Sequence, residues 1–237
     1  MVADITVIIP TYNRFFFLQR ALKSVLAQTL QPKEIIIVDD GSSDATATIK
    51  ELFPFITYIY QSNKGVSAAR NAGIKKATTQ WIAFLDDDDT WQSDKLQKQF
   101  HFHQQNPNFL WSYTQERWIK NNNEILIPKK FHKPKSNTFL DHFRYCNIAP
   151  SSVMIHKRIF EDVGVFDESF RVSEDFDLWL RILLKYPLGL VEEKLINKYA
   201  GHKNQLGFSK EVVYYRKKAL QKHLQTVFHQ EIRKILS

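Results

Sequence analysis

Four short apolar runs, each followed by a polar turn and a helical pattern, fill the first hundred residues. They are "ITVII" (5–9), "EIIIV" (34–38), "ITYIY" (56–60) and "WIAFL" (81–85). Between them, Leu18, Ala21, Leu22, Val25 and Leu26 recur at helical spacing, residues 44–52 suit a short helix opened by Ser43 or Asp44, and "VSAARNAGIKKA" (66–77) suits another. A run that is apolar on both faces is a strand covered on both sides. Strands alternating with helices therefore predict an α/β chain with a mainly parallel sheet flanked by helices.

The second half is less regular. "FLWSYTQERWIK" followed by "NNNEILIP" predicts a hairpin around Asn121–Asn123, and the basic, proline-containing 128–137 predicts a loop. "SSVMIH" (151–156) reads as a strand, residues 175–185 as a helix starting near Ser173, and the chain from 209 as helical. No internal repeat or linker divides it. The expected organisation is one domain over 1–208, with a nucleotide-binding half (1–110) and a smaller, mixed acceptor-side half (111–208), and a basic helical tail over 209–237.

In an open parallel sheet, ligands bind beyond the carboxyl ends of the strands. The polar motifs fall there: "PTYNR" (10–14), "DDGSSD" (39–44), "QSNKG" leading to Arg70 and Asn71, and "DDDDT" (86–90). Taken singly, Asp39 and Asp40 could shape a turn, Tyr12 could be core, and Arg70 a solvated helix residue. Four consecutive carboxylates are harder to explain, because they repel one another and call for a cation. Hard oxygen ligands in this number suit Mg²⁺ or Mn²⁺, which take few carboxylates together with phosphate oxygens and water.

Cys146 is the only cysteine, so an intrachain disulfide is excluded and a cytoplasmic setting is expected. No signal peptide and no run long enough to span a membrane is evident. The net charge of +8 is uneven: seven bases (Lys210, Arg216, Lys217, Lys218, Lys222, Arg233, Lys234) and two acids (Glu211, Glu231) lie in 209–237. Such a tail fits either a solvated helix face or a peripheral contact with anionic lipid at the inner membrane face. Nucleic-acid binding would fit the charge but not an acidic sheet rim, so it is not expected.

"VIIPTYNR", "IIIVDDGSSD", "NKGVSAARNAGI", "FLDDDDTW" and "PSSVMIHKRIFEDVGVFDESFRVSEDFDLWLR" (150–181), in this order, resemble the family 2 glycosyltransferases of the GT-A fold. The resemblance covers roughly residues 4–206 and implies a nucleotide-diphosphate-sugar donor, with UDP favoured. By matching motif, Tyr12 would stack on the base, Pro10 and Thr11 would line its pocket, and Asp40 would hydrogen-bond it with Asp39 alongside. Arg70 would sit near the diphosphate or ribose, Asp86 or Asp87 would contact the ribose, and Asp88 would hold Mn²⁺ or Mg²⁺ with His202 in the same shell.

The resemblance also makes Asp175, in "VSEDFDLW", the general base of an inverting transfer. Without it, Ser173 could cap the helix, with Glu174, Asp175 and Asp177 suiting a helix N-terminus. "QERW" (115–118) lacks a residue of the QxxRW signature of processive synthases and precedes Asp175, so single-sugar addition to a saccharide or lipid-linked acceptor is expected. The alternatives are a non-catalytic nucleotide-sugar binder and a phosphatase of the haloacid-dehalogenase type, in which Asp86 would be the nucleophile.

Overall fold

The computed structural model of the protein describes residues 2–132, 148–199, 201 and 210–223. Among these, nine strands form a single sheet. β1 (Val2–Thr11), β2 (Gln31–Asp39), β3 (Thr57–Tyr60) and β4 (Trp81–Phe84) follow the four apolar runs, and their pairings β1–β2, β2–β3 and β1–β4 are all parallel. α1 (Phe15–Leu26) and α3 (Val66–Lys76) form where the helical spacing placed them. The 44–52 segment splits into a 3₁₀ turn (Ala45–Thr48) and a single α turn, α2 (Ile49–Leu52), with Asp44 capping through Thr46 N.

Side chains alternate across these strands, which explains why their sequences are apolar throughout. Val7, Ile9, Ile35 and Ile37 face α1, where Leu18, Ala21, Leu22 and Val25 are buried. Ile8, Ile36 and Val38 face the opposite side, against Ala69 and Ile74 of α3. α3 lies close: a Cβ on Gly73 would come within 2.5 Å of Ile8 Cγ2.

Beyond β4 the sheet becomes mixed and continues in the order β4-β8-β6-β9-β5, with β7 pairing β6. Its members are β5 (Asp89–Trp91), β6 (Trp111–Lys120), β7 (Asn123–Ile125), β8 (Met154–His156) and β9 (Gly189–Tyr199). The β6–β7 hairpin turns at Asn121 and Asn122, both at positive φ, as its sequence predicts. β5 and β9 are not anticipated by the sequence reading, and 151–156 yields a shorter strand because Pro150–Ser152 form a 3₁₀ turn. Within the predicted 128–137 loop, Lys129–Phe131 make one 3₁₀ turn, and 133–137 lie outside the described residues.

α4 (Lys95–Gln105), α5 (Arg158–Val163) and α6 (Glu174–Leu183) complete the layers. Ser173 does not cap α6: it sits at φ 60° in the left-handed region and makes no side-chain cap. A helix over 212–223 packs through Tyr215 and Ala219 on Phe176 and Leu180 of α6 and on Phe170 and Val172 just before it. No helix among the described residues is long and apolar enough to cross a membrane.

One core residue is energetically unfavourable. Lys95 is fully buried, its Nζ has no hydrogen-bond partner, and it lies 4.0 Å from the centre of the Trp91 ring. Burial drives its pKa well below the ordinary lysine value. Replacing an unpaired buried amine with an unbranched apolar chain one atom shorter removes a desolvation cost, so Lys95→Met is expected to stabilise the fold by about 1–3 kcal/mol, read as a higher urea midpoint.

Candidate active site

The parallel register brings the motif-bearing strand ends to one edge: Thr11 pairs with Asp39, Asp39 with Tyr60, and Ile8 with Phe84. Asn13, at φ 52°, accepts hydrogen bonds through Oδ1 from Ser43 N (2.7 Å) and Asp44 N (3.3 Å), and its own N donates to Ser42 Oγ. This stitches the first motif to the second. Gly41, at φ 89°, is required at the turn because a Cβ there would lie 2.8 Å from Asn63 N.

The two aspartates at this turn have different fates. Asp39 is fully buried, accepts from Ser42 N at 2.8 Å and from the Tyr58 hydroxyl, and does not line the cleft. Its carboxylate shapes the turn next to Asp40. Asp40 does line the cleft, and it accepts from Gln61 Nε2 (2.7 Å), Lys64 N (2.9 Å) and Gly65 N (2.8 Å), fixing the approach to α3.

The four aspartates diverge toward three cations, with Asp87 and Asp88 sharing Arg14. Asp86 pairs with Arg70 at 2.7 Å; Asp87 pairs with Arg14 at 2.9 Å and accepts from Thr11 Oγ1 at 2.8 Å; Asp88 pairs with Arg14 at 3.1 Å. Asp89 lies in β5 opposite Lys198 of β9 and accepts from Ser151 Oγ at 2.7 Å. Arg14, Arg70 and Lys198 are protein cations that stand beside these carboxylates and offset part of their repulsion. Burial nevertheless pushes Asp87 up to about 7, with Arg14 opposing it, and pushes Asp89 up to about 8, with Lys198 opposing it.

A divalent cation still suits the donor set. Among the described residues no group of three or more His, Cys, Asp or Glu is gathered. The Asp86 and Asp88 side chains are 25% and 18% exposed on the cleft, against 6% for Asp87. One or two open carboxylates are what Mg²⁺ or Mn²⁺ uses when substrate phosphates complete the shell. His202 lies outside the described residues.

Arg70, 3% exposed, is bound on both sides, at 2.7 Å by Asp86 and 2.5 Å by Glu174. Burial works against its charge, but the two carboxylates outweigh it and hold its pKa above the ordinary arginine value. Asp175 follows Glu174 in the first turn of α6, and its Oδ1 accepts from Phe176 N at 2.8 Å. Burial raises its pKa, with Arg70 pulling it back. Lys198 shows the reverse balance: burial disfavours its charge, and Asp89 and Glu116 more than compensate.

Apart from Asp39, these charged groups open onto one cleft of about 810 Å³. Pro10, Thr11, Tyr12, Asp40, Arg70, Asp86, Asp87, Asp88 and Asp175 all line it. Tyr12 is 48% exposed, so its ring is open to a partner. Sequence reasoning missed Arg14, Glu174, Lys198 and Glu116. Arg14 stands inside the quoted first motif, whereas the placement of Lys198 depends on β9.

Comparison with known proteins now has a geometry to meet. A family model described as glycosyl transferase family 2 matches residues 6–164. An uncharacterized glycosyltransferase of Rickettsia conorii is 37% identical over 194 residues, 81% of this chain; the chain spans only 32% of that protein. The UDP-Glc:α-D-GlcNAc-diphosphoundecaprenol β-1,3-glucosyltransferase WfaP of Escherichia coli is 35% identical over 186 residues, 76% of this chain and 70% of that one. The crystal structure of S. aureus TarS residues 1–349 with UDP-GlcNAc superposes with a TM-score of 0.73 at 19% identity, covering 86% of this chain and 61% of that one. The phosphatase alternative falls with these matches, as Asp86 is held by Arg70 and not presented as a nucleophile. The chain belongs to glycosyl transferase family 2 and has the GT-A fold.

Proposed function

We propose that this enzyme transfers a single sugar, with inversion, from a nucleotide-diphosphate sugar to a saccharide or lipid-linked acceptor. UDP is the favoured donor nucleotide, since WfaP is named for UDP-Glc and TarS was crystallised with UDP and UDP-GlcNAc. The observation that carries this reading is the convergence of Tyr12, Asp40, the Asp86–Asp88 cluster and Asp175 on one cleft. Residues 1–208 form the catalytic domain in this reading, with 1–110 as its nucleotide-binding half.

Tyr12 stacks on the base, and Pro10 and Thr11 line the nucleotide pocket beside Asp40. Asp86 and Asp87 face the ribose, and Arg70 lies near the diphosphate or ribose, its guanidinium oriented by Asp86 and Glu174. Asp88 would hold Mn²⁺ or Mg²⁺, with His202 as a further ligand, and a cation bound there supplies Lewis-acid stabilisation of the leaving diphosphate. Asp175 accepts the proton of the acceptor hydroxyl as it attacks the anomeric carbon from the face opposite the leaving group. Burial suits it to that role, because a carboxylate with raised proton affinity is a stronger base.

Donor class and metal dependence are read together from melting temperatures with UDP-, GDP- and dTDP-sugars, each with and without Mn²⁺. Stabilisation is expected for a UDP-sugar with Mn²⁺ and much less for either alone. No shift with any sugar nucleotide would refute the donor assignment. Contact of the tail with anionic lipid rests on Lys210, Lys217 and the bases beyond 223, since Lys218 and Lys222 already bind Ser169 and Asp167. Liposome flotation with and without residues 209–237 tests it, and equal flotation would reject it.

A further inference from the structure

Among the described residues, eight carboxylates and five basic side chains line the cleft, so its formal charge is negative before any ligand enters. A diphosphate brings further negative charge, and a divalent cation is its natural counterweight. The basic groups beside the aspartate turn are not held alike. Arg70, 3% exposed, forks between two acids, with Nη1 on Glu174 (2.5 Å) and Nη2 on Asp86 (2.7 Å). The Arg14 side chain is 22% exposed, and one nitrogen, Nη1, reaches both Asp87 Oδ1 (2.9 Å) and Asp88 Oδ2 (3.1 Å). A single shared nitrogen grips two carboxylates less firmly than a fork does.

Asp88 is held in two separate ways. Its main-chain oxygen accepts from Arg20 Nη2 at 2.8 Å, and the Arg20 guanidinium lies 3.6 Å from the centre of the Tyr199 ring. Its carboxylate, 18% exposed, meets Arg14. The backbone contact anchors the turn, so the carboxylate can change partner without the turn moving. Arg14 stands at the start of α1, where its carbonyl accepts from Leu18 N at 2.9 Å. Burial disfavours the charge of its guanidinium, but Asp87 and Asp88 outweigh that and hold its pKa above the ordinary arginine value. Arg14 is therefore a permanent cation on a fixed stem.

We propose that Arg14 is an exchangeable counter-ion of the aspartate turn, which neutralises Asp88 before the donor binds and releases that carboxylate to a divalent cation when the donor diphosphate is bound. The inference rests on the reading above that Asp88 holds Mn²⁺ or Mg²⁺. With Arg14 in place, Asp88 takes up a lone cation against both competition and repulsion. The donor diphosphate adds negative charge, which compensates for a guanidinium and a metal standing close together. Arg14 thereby makes metal and donor bind cooperatively, each weakly alone.

The test measures Mn²⁺ binding by calorimetry, with and without UDP, for the native chain, Arg14→Gln, Arg14→Lys and the double variant Arg14→Gln with Asp88→Asn. Without UDP, Arg14→Gln is expected to bind Mn²⁺ about tenfold more tightly than the native chain, because a competing charge is gone. Arg14→Lys keeps the charge and is expected to stay near native. The double variant is expected to lose the gain, which places it at Asp88. UDP is expected to tighten Mn²⁺ binding about tenfold or more in the native chain and distinctly less in Arg14→Gln. A side chain that only supported the fold would, on removal, weaken Mn²⁺ binding or leave it unchanged, and either result without UDP would overturn the proposal. A gain that survived Asp88→Asn would also overturn it. Arg14→Met, which keeps the aliphatic stem, repeats the comparison if the Gln variant loses its melting transition. Mn²⁺ uptake by none of the forms, even with UDP, would instead overturn the metal reading itself.

Discussion

Asp175→Asn is expected to lower kcat by about 10²–10⁴-fold, the usual contribution of a positioned general base, while the sugar nucleotide binds with unchanged affinity. The substitution is nearly isosteric, and the amide oxygen can still accept from Phe176 N, so the first turn of α6 is preserved. Arg70 keeps both its carboxylate partners, Asp86 and Glu174. What disappears is a group able to take a proton. A loss in kcat without a loss in donor binding is the signature of an interaction made only in the transition state. The same residue sets the acid limb of the pH profile. Burial raises its pKa, so the limb lies above the ordinary carboxylate range, and kcat/KM rises with pH through it because the ionised form is the base. Near-normal kcat in the variant would remove Asp175 from the mechanism.

Asp177→Ala is expected to cost about 3–5 kcal/mol, the range for removing one member of a buried charge network. Asp177 is fully buried and bound by Arg181 (3.0 Å), Lys222 (3.0 Å) and His223 (2.9 Å). Two of these three lie on the 212–223 helix, so its docking on α6 loosens along with the global loss. Although burial would raise the Asp177 pKa, its hydrogen bond from His223 and the charge of Arg181 lower it below the ordinary carboxylate value. A depressed folded-state pKa contributes stability above the unfolded value of about 3.9, and that contribution is lost as pH falls through the folded value. The gap in melting temperature between the native protein and Asp177→Asn is therefore expected to be widest near neutral pH and to close in acid. Equal melting temperatures at pH 7 would contradict the network.

Much of the nucleotide half was legible in the sequence, because period-two alternation inside "ITVII" and "EIIIV" buries both strand faces and leaves only a parallel sheet as the solution. The turn signals after those strands put Tyr12 and Asp40 at one edge without knowledge of the contacts. Asp39 was not separable from its neighbour, since only tertiary packing brings the Tyr58 hydroxyl to it. The protein cations beside the aspartate run were not legible, for a physical reason. Repulsion along the sequence is real, but the chain turns so that the four carboxylates meet Arg14 just before α1, Arg70 of α3 and Lys198 of β9. β5 escaped notice because "DTW" is too short to carry a period, and β9 because "EEK" interrupts its apolar residues.

The central claim is that the cluster at Asp86–Asp88 joins a divalent cation to a nucleotide's phosphates. The most direct measurement is calorimetric titration of a UDP-sugar into the protein with Mn²⁺ and with chelator, for the native chain and Asp88→Asn. The prediction is binding that weakens about tenfold or more on chelation, a difference of at least 1.4 kcal/mol, with the variant insensitive to Mn²⁺. Affinity that is the same with metal and with chelator in the native protein would contradict the account.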